Sequence, residues 1–190
     1  MLGGVDEAGR GCWAGPVVAA AVVLPAGWAP DGLDDSKKLS PARREALYAE
    51  IRAGALAWAA CAVSAPEIDS SNILRATLRA MSRAVARLSL TPDLLLVDGN
   101  QVPVVSMPAE SLVRGDGTSA AIAAASIIAK VLRDRVMTVW DRHYPGYGFA
   151  AHKGYGVAAH RAALDRLGPC PLHRLSFEPL AGRGQSSLFR

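Results

Sequence analysis

Apolar residues gather along the chain in segments whose period switches between that of a strand and that of a helix. Leu2 to Val5 and Pro16 to Leu24 read as strands, the second β-branched and bounded by Gly15-Pro16 and Pro25-Ala26-Gly27; a turn over Gly9 to Gly15 closes them into a hairpin. Ser40-Pro41 opens a helix that runs to about Gly54, with Ser40 as the N-cap and Pro41 at the first helical position. The alanines of Ala55 to Val63 also suit a helix, but its length between Gly54 and Ser64-Ala65-Pro66 fits a buried strand. Ile73, Leu74, Leu78, Met81, Val85 and Leu88 recur at helical spacing and predict an amphipathic helix over Asn72 to Leu88. Leu94 to Val97 is fully apolar, as in strands buried on both faces of a parallel sheet, and a further short strand is predicted at Val102 to Ser106. Helices follow at Ala120 to Met137 and at about Val157 to Leu167, where Gly168-Pro169 stops the chain. Strands alternating with helices after an opening hairpin imply an α/β fold with a sheet of mixed direction.

The 190 residues, 51% of them apolar, suffice for one domain with one sizeable core. A net charge of +4 points weakly to an anionic partner such as nucleic acid. On the helix over Asn72 to Leu88, Arg75, Arg79, Arg83 and Arg87 form one stripe that could follow a phosphate backbone, although a solvated face is the plainer reading. Cys12, Cys61 and Cys170 are odd in number and far apart, so neither a disulfide framework nor a zinc site is expected, and a reducing cytoplasm suits them. The longest apolar runs, from Val17 and from Ala120, reach about half the length that spans a bilayer, so no membrane helix is expected. Asp6 and Glu7 stand where a signal peptide would be basic, which argues against a leader.

The first strand ends Gly-Val-Asp and the fourth ends Val-Asp-Gly. If those strands lie side by side and parallel, Asp6 and Asp98 meet at the carboxyl end of the sheet, where ligands of open α/β folds bind. Asp116, just before a helix, can supply a third carboxylate. Glu7 can join only if the strand ends or bends there, because successive strand residues point to opposite faces. Such a cluster repels itself unless a cation neutralises it, and oxygen-only ligands select hard ions, Mg²⁺ or Mn²⁺, in pairs suited to phosphoryl transfer. Any one of these aspartates alone reads better as a turn or cap residue.

DEAGRG, AGPVVAAAVVL, DDSKKLS, VDGN, GDGTSAAIAAASIIAKVLRD, YPGYGF and HKGYG, in that order from about Gly3 to Phe177, together strongly resemble bacterial type 2 ribonuclease H, ribonuclease HII. The resemblance implies a ribonuclease H-like mixed sheet flanked by helices, with a catalytic core over residues 1–140, a helical C-terminal extension over 141–180 and a flexible tail over 181–190. It implies an endoribonuclease that cuts the RNA strand of RNA/DNA hybrids and cuts 5′ of single ribonucleotides in DNA, leaving a 3′-hydroxyl and a 5′-phosphate, in ribonucleotide removal and genome maintenance. By the same resemblance Asp6, Glu7, Asp98 and Asp116 are the catalytic and metal-binding carboxylates for two Mg²⁺ or Mn²⁺ ions. Gly9, Arg10 and Gly11 are similar to the turn that senses the ribose 2′-hydroxyl, Tyr155 to the tyrosine that stacks on the next deoxyribose, and Lys37 and Lys38 to phosphate contacts. A cytoplasmic monomer is expected.

Lys130, Arg133 and Asp134 share a helix face and read as a structural ion cluster. His143, His152, His160 and His173 lack ligand spacing, so no metal role is expected of them. Cys12-Trp13 stands where the family usually has Pro and a smaller apolar residue, and HRLSF has Leu175 where an arginine is common. Cys12 borders the turn, so oxidation there is expected to impair the site. QSSLF at the end resembles the short peptide by which bacterial repair proteins bind the sliding clamp, with Gln185, Leu188 and Phe189 as contacts. A non-catalytic hybrid-binding factor, or a nuclease acting on DNA junctions, would be the alternatives on this fold.

Overall fold

The computed structural model describes residues 1–181. Five strands, β1 (Leu2–Ala8), β2 (Val17–Val23), β3 (Ala57–Val63), β4 (Leu94–Asp98) and β5 (Ala109–Leu112), form one sheet in the order β3-β2-β1-β4-β5. β1, β2 and β3 are joined antiparallel, whereas β4 runs parallel to β1 and β5 parallel to β4, so the sheet is mixed. The helices are α1 (Pro41–Gly54), α2 (Ala65–Asp69), α3 (Ile73–Val85), α4 (Ala120–His143), α5 (Phe149–His152) and α6 (Ala158–Leu167).

The pleat of β2 divides the core. Val17, Ala19 and Ala21 face α3 with Met81, Ala84 and Leu95, while Ala20 and Val22 face α1 and α4 with Leu47, Ile51, Ile127 and Ile128. Alanine dominates α4 because the helix lies almost on the sheet: a Cβ at Gly4 of β1 would stand 2.1 Å from the backbone of Ala121. Ser40 caps α1 by accepting from the Arg43 amide, with Pro41 in its first turn.

Several elements depart from the sequence expectations, among them the short helices α2 and α5, which were not expected. β1 continues through Asp6 and Glu7 to Ala8 instead of ending at Val5, because its ladder with β2 extends to the pair Ala8 and Val18. The expected strand at Val102 to Ser106 is absent and β5 forms at Ala109–Leu112; Pro103 offers no N–H, and Val104 is 91% exposed. α4 runs past Met137 to His143. The arginine stripe on α3 is a solvated face tied back to the protein: Arg83 pairs with Glu67 at 3.1 Å and Arg87 donates to the Ala60 carbonyl at 3.2 Å. Among the described residues no helix is long and apolar enough to cross a membrane.

Candidate active site

Val5 pairs with Val97 in the parallel ladder, so Asp6 and Asp98 are the next residues of neighbouring strands at the carboxyl end of the sheet. Asp6 is buried, and burial first, then the charges of Glu7 and Asp98, hold its carboxyl well above the ordinary range. Asp98 accepts a hydrogen bond from the Gly115 amide at 2.8 Å, which draws the 3₁₀ turn Gly115–Gly117 and its Asp116 to the same edge. The Asp116 carboxyl is raised by partial burial and by the charges of Asp35 and Asp98. Glu7 occupies the alternate pleat position yet still feels the group: burial raises its carboxyl, Arg10 at 3.7 Å opposes this, and the Asp98 charge raises it further. Four acids therefore share one rim of the molecule, and burial together with neighbouring carboxylate charge raises Asp6, Glu7 and Asp116.

The DDSKK loop hangs over this rim. Ser126, a polar interruption in the apolar run of α4, donates to the Asp6 carboxylate and shares a hydrogen bond with the Ser36 hydroxyl at 2.7 Å, so loop, helix and strand are fastened together. Partial burial would lower the Lys37 ammonium, but Asp35, Asp6, Asp116 and Asp98 outweigh it and hold the pKa up, so Lys37 is the cluster's own counter-charge. Lys38 is engaged by Asp34 at 3.0 Å.

The Gly9–Gly11 turn follows directly, and two buried arginines clamp it. Arg174 donates to the carbonyls of Gly9 at 2.7 Å, Arg10 at 2.8 Å and Gly15 at 2.9 and 3.0 Å. Arg133 donates to Pro16 and Ala14 at 3.0 and 3.2 Å and lies under the turn, where a Cβ on Gly9 would come within 1.8 Å of it. Gly9 also has φ +90°, so its freedom is demanded by the fold. Gly11 differs: it is exposed, and a Cβ there would meet nothing within 4 Å.

Arg133 and Lys130 also back the Tyr155 ring, at 5.8 and 5.6 Å, and leave it 40% exposed; of the ion cluster expected on this helix face, Lys130 and Asp134 pair at 2.8 Å, whereas Arg133 turns to the Pro16 and Ala14 carbonyls. A groove of about 740 Å³ continues from Tyr155 past Arg44, Lys130, Arg135 and Lys153. The expected oxidation sensitivity of Cys12 does not fit. The residue is wholly buried, and burial raises its thiol, which leaves little reactive thiolate.

A family model for ribonuclease HII matches residues 3–179. The chain belongs to the ribonuclease HII family. It is 56% identical over 176 residues to the ribonuclease HII of Syntrophotalea carbinolica, covering 93% of this chain and 84% of that one. Among solved structures, the ribonuclease H2 of Pyrococcus horikoshii OT3 matches with a TM-score of 0.79 at 25% identity, covering 94% of both chains. A PCNA:RNase HII complex from Archaeoglobus fulgidus matches with a TM-score of 0.76 at 28% identity, covering 94% of this chain and 95% of that one. Ribonuclease HII membership makes the chain a nuclease, a hydrolase of the ribonuclease H type. Arg174, Arg133, Ser36 and Ser126 were not singled out from sequence as builders of this site. The serine inside an alanine run was the one local signal.

Proposed function

We propose that this ribonuclease HII cuts duplex DNA on the 5′ side of a single embedded ribonucleotide, and the RNA strand of hybrids, leaving a 3′-hydroxyl and a 5′-phosphate. The observation that carries the reading is that Asp6 and Asp98 directly follow the Val5–Val97 pair of two adjacent parallel strands, beside a turn in which Gly11 faces open space. Asp6, Glu7, Asp98 and Asp116 would hold two Mg²⁺ or Mn²⁺ ions. The donor set fits hard cations because it is all oxygen and because Asp6, Glu7 and Asp116 are raised by burial and by neighbouring carboxylate charge, which a cation would relieve. Among the described residues no three such groups already converge on one point, so the fit lies in donor chemistry and not in a preformed cage. When bound, such a pair activates the attacking water and stabilises the departing oxygen.

The chain's own residues do the rest. Lys37, the counter-charge of the cluster, is free to turn to a phosphate oxygen once cations replace it, with Lys38 beside it. The Gly9–Gly11 turn, stiffened from within by Arg174 and Arg133, meets the sugar; Gly11 lets the backbone come close enough to sense a 2′-hydroxyl, the group that separates RNA from DNA. Tyr155, braced by Arg133 and Lys130, offers its free face to the adjoining deoxyribose. The groove beyond it carries Arg44 and Lys153 for a phosphate backbone, with Lys130 and Arg135 there paired to Asp134 and Glu45.

A duplex with one ribonucleotide, given Mg²⁺ or Mn²⁺, should be cut there while an all-DNA duplex of the same sequence stays whole. Tight binding without cutting would instead mark a hybrid-binding module. Gly11→Ala should keep the wild-type melting temperature, since its side chain enters open space, yet lower kcat/KM at the ribonucleotide by about tenfold or more. Equal activity would remove Gly11 from sugar recognition.

We also propose that Gln185, Leu188 and Phe189, which lie outside the described residues, bind a sliding clamp. The Archaeoglobus relative in its PCNA:RNase HII complex supports this. Leu188→Ala/Phe189→Ala should lose clamp binding in a pull-down while cutting free duplex normally, and unchanged binding would end the proposal.

A further inference from the structure

Three histidines of one C-terminal segment meet behind Tyr155. His160 and His173 are buried, with their Nε2 atoms 3.0 Å apart, and His152 stacks on His160 with ring centroids 4.4 Å apart. Their protons can be placed from their neighbours. The Cys170 amide donates to His173 Nδ1 at 2.9 Å, so that nitrogen carries no proton and His173 Nε2–H donates to His160 Nε2. His160 must then carry its proton on Nδ1, which donates to the Tyr155 carbonyl at 2.9 Å. The Gly154 amide likewise donates to His152 Nδ1 at 3.1 Å, leaving His152 Nε2–H for the Tyr147 carbonyl at 2.8 Å. This tautomer chain gives every ring nitrogen a partner with all three rings neutral, and the Cys170 carbonyl, 3.2 Å from His173 Nδ1, is already served by the His173 amide at 2.9 Å. Burial agrees: it lowers His160, and with the neighbouring imidazole it takes His173 down to about 4.

The chain joins two parts of the site. His173 bridges Ala14 and is followed by Arg174, whose amide donates to the Trp13 carbonyl at 2.8 Å and whose guanidinium clamps the Gly9–Gly11 turn. At the other end the Trp13 amide donates to Gly154 at 2.9 Å, and the Trp13 ring fills the space where a Cβ on Gly156 would stand, 2.2 Å away. Tyr155 thus sits between two glycines pressed on Trp13, with its carbonyl held by His160.

We propose that His160 and His173 are positioning residues for Tyr155, tying its loop to the segment whose Arg174 holds the Gly9–Gly11 turn, so that the two sugar-facing elements keep a fixed spacing. This rests on the reading of Tyr155 and that turn as sugar contacts.

The test is kcat/KM on a duplex with one ribonucleotide. His160→Ala should lose about tenfold, one directed hydrogen bond's share. His160→Asn should restore most of it, since its amide nitrogen falls where Nδ1 stands. In a Tyr155→Ala background His160→Ala should cause no further loss, because its effect passes through Tyr155. Wild-type activity in His160→Ala, or an undiminished loss in the Tyr155→Ala background, overturns the proposal. Should His160→Ala fail to fold by circular dichroism, His160→Gln takes its place: its amide reaches His173 but not Tyr155, so it should fall well below His160→Asn, and equal activities overturn the proposal. A wild-type enzyme inactive on this duplex would instead overturn the reading of function beneath it.

Discussion

Asp98→Asn should abolish cleavage, by about a thousandfold or more, and at the same time make the metal-free protein more stable. Asparagine keeps the oxygen that accepts from the Gly115 amide, so the 3₁₀ turn stays in place. What it removes is a charge. Asp6, buried beside Glu7 and Asp98, has its carboxyl raised, so the folded state loses stability as pH climbs from the ordinary carboxylate range through that raised value, and the full penalty stands above it. Deleting the Asp98 charge relieves part of that penalty, on the order of 1 kcal/mol at neutral pH. The gain should vanish near pH of about 3, where both states are protonated. Chemical unfolding with a chelator present, at both pH values, measures it. An Asp98→Asn protein less stable than wild type at pH 7 would contradict the account of the cluster, and one that still cuts would remove Asp98 from the chemistry.

The second large effect is expected at Arg174. Its buried guanidinium makes four hydrogen bonds to the carbonyls of Gly9, Arg10 and Gly15. Arg174→Ala takes a donor from three carbonyls, for a loss of about 4 kcal/mol at roughly 1 kcal/mol for each of the four bonds. Activity should fall further than stability does, because the freed turn follows Asp6 and Glu7 by only a few residues. Arg174→Lys should not rescue it, since a single ammonium cannot spread over carbonyls that a planar fork meets together. Urea unfolding beside cleavage of the ribonucleotide duplex separates the two losses. Wild-type cutting by Arg174→Ala would show that the turn needs no clamp.

Most of the fold was readable because its signals are local. The amphipathic period of α3, the Ser40-Pro41 start of α1 and the apolar run of β4 each depend on residues a few positions apart. The adjacency of Asp6 and Asp98 was also legible, because two apolar strands ending on aspartate have one natural way to be useful in a parallel sheet. β5 was misplaced because an edge strand of sequence AESL carries no apolar alternation, whereas the valines around Pro103 do. α2 was missed although Ser64 and Glu67 form a capping box, since Pro66 reads first as a breaker and here sits in the opening turn.

The site divides in the same way. Carboxylates and glycines announce themselves by type and order, but what holds them is tertiary. Gly9 belongs to the turn expected to meet the sugar, and in the structure its φ of +90° and the Arg133 side chain beneath it already require glycine; Gly11 is the position with open space. Arg174 was visible inside HRLSF, yet nothing nearby in sequence says that its partners lie more than 150 residues earlier, with separations of 159 to 165. The histidines had no ligand spacing and needed none, because their partners are one another and the backbone around Tyr155.

The central claim is that the four carboxylates cut beside a ribose and nowhere else. It is tested most directly by end-labelling a duplex with one ribonucleotide, adding Mg²⁺ or Mn²⁺, and identifying both new ends. The account predicts one cut on the 5′ side of the ribonucleotide, with a 3′-hydroxyl and a 5′-phosphate, lost with a chelator. Cleavage on the 3′ side, a cyclic phosphate, or cutting that survives the chelator would contradict it.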